Sequence, residues 1–577
     1  MLRRFLTPVA APLLLGACAT IPIRAEVADL NPPSTEARER GVVSAADPRA
    51  AEAGAEMLRA GGSATDAAIA TMLALGVVEP QSSGIGGGGF MLYGNAAGAI
   101  ETFDGRESAP AGADGQWFLD PEGKPLPFMA AVISGRSVGV PGNLRLAEEA
   151  HRRHGKLPWA RLFEPAIKLA RDGWTLSERG REFLVNAKNR AAHQPDGLAI
   201  FYDANGEPRP VGTVLRNPDL AESLAQLAHN GAQWFYSGSN AAHIAAEVAG
   251  ETPRPGAMTV ADLAAYQVKE RPEVCGPYRS YRICGMGPPS SGATTVYAIL
   301  KQLERFDLHA LGPQSPTFWH LFAESQRLAY ADRERYLADS DFVSVPVPGL
   351  IDPAYLAQRS ALIDPAGTLA SVSAGVVQGL AVTPPDGDEP EEHGTSHFVV
   401  VDRDGDAISY TSTIEGSFGS GIMVGGYYLN NELTDFSFAP AGPDGRAVAN
   451  RVEGGKRPRS SMAPTLVYDA GGELVLVIGA AGGATIPVQV ARALIGVLDF
   501  GLPLDQALAL PVLFAPGDAL TVEQGTYLEG MIPQLQALGH ARVTPRGLPL
   551  KTNAAQRTAA GWAGAADPRS EGVAIGE

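Results

Sequence analysis

Two alanine-rich apolar runs, DPRAAEAGAEMLRA and SATDAAIATMLALGVVEP, meet at Gly61-Gly62. Their spacing predicts two helices over 45–80, the second starting near Ser63 or Asp66. Residues 86–104, GGGGFMLYGNAAGAIETFD, alternate as a hairpin does. Helical periodicity returns over 143–190, 217–248, 314–338, 352–363, 485–511 and 529–538. Residues 396–412, 423–430 and 464–479 read as strands, and HFVVV is a strongly apolar run that reads as a buried strand. Strands come in two groups with helices before and after. This order predicts α+β layers rather than a repeating βαβ unit. No 20–50-residue period marks a repeat architecture. Residues 373–394, ending in TPPDGDEPEEHG, read as an exposed acidic linker.

Composition narrows the partners. A net charge of −17 over 577 residues disfavours nucleic acid, whose phosphates need a basic face. The first twenty residues, MLRRFLTPVAAPLLLGACAT, place two arginines before a short apolar run. That is an export signal, too short for a permanent membrane helix. Leu15-Gly16-Ala17-Cys18 resembles a bacterial lipobox with Cys18 as the lipidated new N-terminus, and Ala19 fits outer-membrane sorting. Simple secretion, with cleavage at Ala17-Cys18-Ala19, is the alternative. The protein is expected in the periplasm, meeting a membrane only through that anchor. Cys275 and Cys284 flank a predicted hairpin around Gly276-Pro277, and either a disulfide or two free thiols fits. No zinc site emerges from ten scattered histidines, and His151 and His154 in HRRH read as a solvated helix face.

Three motifs imitate functional signatures. Gly84, Gly86 and Gly89 satisfy G-x-G-x-x-G, but a helix precedes them and a strand follows, the reverse of a dinucleotide site. Their glycines suit close backbone approach instead. GRSVG around Ser137 matches a nucleophile elbow, yet VPGNL interrupts the helix that should follow. GKRPRSSM reads as a charge-balanced turn with Lys456, Arg457 and Arg459 solvated.

Gly394-Thr395 carries the chemistry. A threonine hydroxyl needs a base. A threonine at a new N-terminus brings its own, an α-amine with an unperturbed pKa of about 7.7–8.0. Thr395 stands where an acidic linker meets a buried strand, so a cut before it is plausible, and Gly394 tolerates the strained backbone of such a cut.

The company of Gly394-Thr395 resembles a family. GGSATDAAIATMLALGVVEPQSSGIGGGGFMLY, FDGRESAP, VGVPG, HGKLPW, PPSSG, YADRERYLADSDF, GTSHFVVVD, FGSGI, YLNNELTDFS, RPRSSMAPT, GAAGG and GAADPR follow one another as in the γ-glutamyltranspeptidase (glutathione hydrolase) family of N-terminal-nucleophile hydrolases. The resemblance spans nearly all of residues 40–577. It implies a four-layer αββα sandwich in which a large chain, 19–394, and a small chain, 395–577, share one domain after the 1–18 leader is removed. It implies Thr395 as nucleophile, Thr413 as its hydrogen-bonding partner, and Gly482 and Gly483 as an oxyanion hole. Arg106, Ser460 and Ser461 match groups that hold a glutamyl α-carboxylate, and Glu432 and Asp435 those that hold its α-ammonium. Glutathione or another γ-glutamyl compound is the implied donor, with water, an amino acid or a peptide as acceptor, and no metal or cofactor is implied.

Three departures stand out. Glu415 replaces the family's usual asparagine, adding a carboxylate beside the expected ammonium pocket. AAGG replaces SPGG but keeps both glycines. No Tyr or Trp stands between Ser437 and Lys456, where some members carry an aromatic lid. Three other readings remain: a glutaryl (cephalosporin) acylase of the same fold, a serine hydrolase using Ser137, and a non-enzymatic envelope lipoprotein.

Overall fold

The computed structural model describes Met1 and residues 41–380, 383–386 and 394–577. The chain divides into Met1–Pro32 and Pro33–Glu577, and the fold belongs to the second unit. The leader with Cys18, and residues 381–382 and 387–393 of the linker, lie outside the described residues. The rest of the linker has neither helix nor strand, in keeping with its proline-rich sequence.

Two six-stranded antiparallel sheets make the centre. The first takes β1 (Val42–Ala45), β2 (Gly88–Gly94), β3 (Ile100–Gly105), β6 (Ser396–Val401), β7 (Ala407–Thr413) and β12 (Val573–Gly576), in the order β12-β1-β6-β7-β2-β3. The second takes β4 (Val274–Tyr278), β5 (Tyr281–Gly285), β8 (Thr465–Tyr468), β9 (Leu474–Ala481), β10 (Lys551–Thr558) and β11 (Gly561–Ala566), in the order β11-β10-β9-β8-β5-β4. They pack face to face, with β6 and β7 against β9 and β10. Polar stitches cross between them: Ser409 donates to the Ile478 carbonyl at 3.0 Å, and Asn553 Nδ2 to the His397 carbonyl at 2.8 Å.

Helices α1 (Pro48–Arg59) and α2 (Ala64–Val78) cover the outer face of the first sheet. Helices α3 (Gly292–Leu303) and α5 (Ile486–Leu498) cover the second, and α4 (Pro316–Tyr336) packs on α3. The alternation in HFVVV sorts its side chains between two cores. Phe398 and Val400 join the helix-side cluster, and Val399 and Val401 the inter-sheet cluster. That double burial is why the run lacks polar positions.

Local signals set the entrance to α2. The Ser63 side chain accepts the Asp66 N–H at 3.1 Å, and Asp66 accepts the Ser63 N–H at 2.9 Å, a reciprocal cap. The hairpin at 274–285 turns at Arg279-Ser280 rather than at Gly276-Pro277. Pro277 lies inside β4, an edge strand, where its missing N–H breaks no ladder bond. Cys275 and Cys284 face each other in register and form a disulfide. Among the described residues no helix is long and apolar enough to cross a membrane.

The basic segment at 455–462 is not solvated. Lys456, Arg457 and Arg459 are all buried. Arg457 pairs with Asp104 at 2.5 Å, and Arg459 with Glu334 at 2.5 Å. Lys456 Nζ donates to the carbonyls of Ala449 and Arg451, and burial pushes its amine down to about 8. The two arginines pair with carboxylates remote in sequence, which local composition does not disclose. His151 and His154 are only half-buried, while Arg152 and Arg153 between them are exposed.

Candidate active site

Thr395 heads β6 with φ +124°, a conformation that costs a β-branched residue strain. Its Oγ1 donates to Thr413 Oγ1 at 3.2 Å, at the end of the neighbouring strand β7. Thr413 Oγ1 also accepts the Glu415 N–H at 2.8 Å, which fixes its lone pairs. A Cβ on Gly394 would lie 1.7 Å from the Glu415 carbonyl oxygen, so only glycine fits before the threonine. Glu415 and Phe418 have φ +68° and +66°, so the segment facing the Gly394-Thr395 bond is strained as well.

Gly394, Thr395, Thr413 and Glu415 line one cavity together with Arg106, Glu432, Asp435, Ser460, Met462, Gly483 and Ile486. Ser461 and Gly482 flank lining residues in sequence; Ser461 accepts Arg333 Nη2 at 2.7 Å. The cavity is tight, with room for water-sized sphere centres in only about 10 Å³, roughly one water molecule. Larger hollows of about 440 Å³ beside Trp562 and about 470 Å³ beside Tyr266 do not reach Thr395.

Arg106 is wholly buried and pairs with Glu432 and, at 2.5 Å, with Asp435. The carbonyls of Pro458 and Arg459 accept its Nε and Nη2 at 3.2 and 2.8 Å. One guanidinium therefore meets two carboxylates, and Glu432 Oε2 is left without a hydrogen bond. That unmet acceptor beside the cavity suits a cationic group. Glu415 accepts Asn431 Nδ2, and its charge opposes the downward pull of burial on the Arg190 guanidinium.

Sequence reading missed several neighbours. Glu107 follows Arg106, is fully buried, and neither carboxyl oxygen has a hydrogen bond, so desolvation pushes its pKa up to about 8. Behind Thr395, Ser396 donates to Glu79 at 2.7 Å, and Lys551 pairs with Glu79 at 2.9 Å. His397 is too weak a base for the reaction, since burial pushes it down to about 3 and Nδ1 contacts Thr411. His320, Glu324 and His540 form a buried cluster that the i, i+4 spacing on α4 could have suggested. It is closed internally: the two imidazoles share a bond of 2.7 Å, and Glu324 accepts from Arg327, Thr368 and Leu369.

The decoys resolve physically. Ser137 lies in a short turn and donates to the carbonyls of Val132 and Ser134, so it is no exposed nucleophile. Cβ atoms on Gly86 and Gly89 would lie 2.1 and 2.4 Å from the carbonyl oxygens of Tyr428 and Thr411, so those glycines serve close packing. Gly84 has open space and no such reason.

A hydroxyl whose own backbone nitrogen would become its base once the chain is cut belongs to the N-terminal-nucleophile hydrolases. Comparison with known proteins narrows the class. The family model described as gamma-glutamyltranspeptidase matches residues 50–577, and the chain belongs to that family of enzymes. It is 36% identical over 511 residues to a glutathione hydrolase proenzyme of Bacillus subtilis, covering 87% of this chain and 85% of that protein. It is 37% identical over 504 residues to the glutathione hydrolase proenzyme of Escherichia coli, covering 84% and 83%. A cephalosporin acylase from Bacillus halodurans has a similar structure, with TM-score 0.81 at 25% identity, over 93% of this chain and 96% of that one.

Proposed function

We propose that this chain is a precursor that cuts itself between Gly394 and Thr395 and then transfers γ-glutamyl groups from compounds such as glutathione to water or to an amine acceptor. The observation that carries the reading is the strained Thr395, with φ +124° and its hydroxyl in a cavity beside a buried cation and carboxylates. Thr395 Oγ attacks the Gly394 carbonyl carbon. The C–N bond breaks, the hydroxyl proton ends on the new amine, and an ester joins the two segments. Water hydrolyses that ester to a Gly394 carboxylate and a free Thr395 hydroxyl. The tightness of the cavity accords with an uncut state, because departure of the segment ending at Gly394 is what would open it.

In the mature enzyme the Thr395 amine takes the hydroxyl proton as Oγ attacks the γ-amide carbon. Backbone N–H groups of Gly482 and Gly483 receive the oxyanion, at a turn that leads into α5 and its positive end. The leaving amine takes the proton, and water or an acceptor amine resolves the glutamyl ester. Head-group binding is an exchange of ion pairs. The substrate α-carboxylate replaces a protein carboxylate at Arg106, aided by Ser460 and Ser461, and the α-ammonium replaces the guanidinium at Glu432 and Asp435. Glu415 borders the ammonium. The heterodimer would comprise a large chain ending at Gly394 and a small chain of residues 395–577, exported to the periplasm, and anchored there where Cys18 is kept as the lipidated N-terminus.

Mass spectrometry of the small fragment and assay with a γ-glutamyl anilide and a glutaryl analogue test the reading. A fragment beginning TSHFVVVD and cleavage of the first substrate alone are expected. Thr395→Ala should leave one uncut chain, with activity down by about 10⁴-fold or more. Full activity from an uncut wild-type chain would sink the proposal, and preference for the glutaryl compound would move it to the acylases.

A further inference from the structure

The two halves of the reacting centre come from different sheets. Thr395 heads β6 of the first, and Gly482-Gly483 ends β9 of the second. The two glycines have φ +132° and +58° and no side chains with which to pack, so hydrogen bonds and close contacts must hold their turn. Thr485 and Gln489 supply bonds at its two ends.

Gln489 is wholly buried in α5, among Ile486, Val488 and Val490. An amide there is costly unless its bonds are made, and all four are. Nε2 donates to the Ala481 carbonyl at 2.8 Å and to Thr485 Oγ1 at 2.9 Å. Oε1 accepts the Lys551 N–H at 3.1 Å and Thr552 Oγ1 at 3.2 Å. Thr485 Oγ1 passes the orientation on, donating to the Gly482 carbonyl at 2.8 Å. The contact is close: a Cβ on Gly482 would sit 2.8 Å from Gln489 Nε2. From Lys551 the chain of bonds continues, because its Nζ lies 3.3 Å from the hydroxyl of Ser396, the residue after Thr395.

We propose that Gln489 is a positioning residue that fixes the Gly482-Gly483 turn relative to Thr395 and so sets the geometry of the oxyanion site. The proposal rests on the reading of Thr395 as nucleophile. Its half facing Ala481 and Thr485 shapes the turn, and its half facing Lys551 and Thr552 ties that turn to the strand behind the nucleophile. Misplacing an oxyanion donor weakens the transition state while leaving ground-state binding of the glutamyl head group, some residues away, untouched.

The test compares wild type with Gln489→Met and Gln489→Glu, full-length and self-processed, with rates counted per processed molecule. Gln489→Met keeps the volume without the bonds. Gln489→Glu keeps the acceptor for Lys551 but loses the donor toward Ala481, and is read alone if the Met variant does not fold. For a γ-glutamyl anilide, kcat should fall roughly 10- to 100-fold in both with KM within about threefold. Affinity for a tetrahedral boronate analogue of the γ-glutamyl group should fall by the same factor as kcat. A lowered Tm with unchanged kcat and boronate affinity would make the role purely structural and overturn the proposal. Amide hydrogen exchange over residues 481–485 gives an independent readout. Exchange should quicken at least tenfold in the variants, and unchanged protection overturns the positioning role even if the wild type proves to cleave no γ-glutamyl amide, which would overturn only the function.

Discussion

Two buried ionic clusters lie two residues apart in sequence and behave differently. Around Asp104, Arg271 and Arg457 meet Asp104, Asp339 and Asp341, and Lys269 pairs with Asp341 in turn, three cations with three carboxylates. Asp104 accepts Arg271 Nε at 2.8 Å and the Arg106 N–H at 2.9 Å besides its bond to Arg457, and Asp339 accepts the Arg457 N–H at 3.0 Å. That cluster is neutral and closed on its acceptor side: its carboxylate oxygens are met, and the unmet group is a donor, Arg457 Nε. Around Arg106, one cation faces Glu432 and Asp435, an oxygen of Glu432 is unpaired, and the group borders the cavity that holds Thr395. A closed cluster can only hold the fold together. An open one has exchangeable partners, and a zwitterion supplies both replacements. Burial alone does not separate scaffold from site; the unmet carboxylate oxygen at the cavity wall does.

The comparison breaks most decisively at Asp104. Asp104→Ala strands buried Arg457, removes one of three carboxylates from Arg271, and should cost about 3–5 kcal/mol in denaturant unfolding, often seen as loss of soluble protein. An unchanged unfolding midpoint would mean that the closed cluster is no scaffold. At the open cluster the effect moves from stability to binding. Asp435→Asn should raise KM for a γ-glutamyl anilide about 10- to 100-fold, worth about 1.5–3 kcal/mol, with the unfolding midpoint nearly unmoved. A fall in stability at constant KM would reverse the two assignments.

Glu107 sharpens the boundary between the clusters, and its effect shows only as a slope of stability against pH. Desolvation raises its folded pKa to about 8. Between the ordinary glutamate range and pH 8 the unfolded chain gives up this proton while the folded chain keeps it. The contribution is therefore fully present at low pH and fades as pH rises to 8, by at most about 1.4 kcal/mol per pH unit. Glu107→Gln should flatten that slope in unfolding measured from pH 5 to 8. An identical slope in the variant would show that Glu107 titrates as an ordinary carboxylate.

Much of the fold was legible because its signals are local. The break at Gly61-Gly62, the cap at Ser63 and the strand beginning after Thr395 all followed from short windows. The strands β10 to β12 did not. KTNAAQRT, GWAGAA and VAIG are largely alanine, glycine and polar residues with weak strand preference, and pairing with β9 and β1 makes them strands. At the candidate site, the ordered motifs pointed to Arg106, Thr395, Thr413, Glu415, Glu432, Asp435, Ser460 and Gly483, which the fold gathers around one cavity. Gln489 and Lys551 were invisible, because each reads locally as one polar residue in an apolar or mixed stretch.

The sequence by itself determined which chemistry is available: a hydroxyl after a glycine, an arginine in one short motif, paired acids in another, and strongly apolar strands. Those properties sit in a few adjacent residues, so they need no partner to be read. Tertiary structure alone decided which charges are buried, which are closed, and where the backbone at Thr395 is strained. Each depends on groups brought together from hundreds of residues apart, and the cost of burying a charge or twisting a peptide is set by those neighbours.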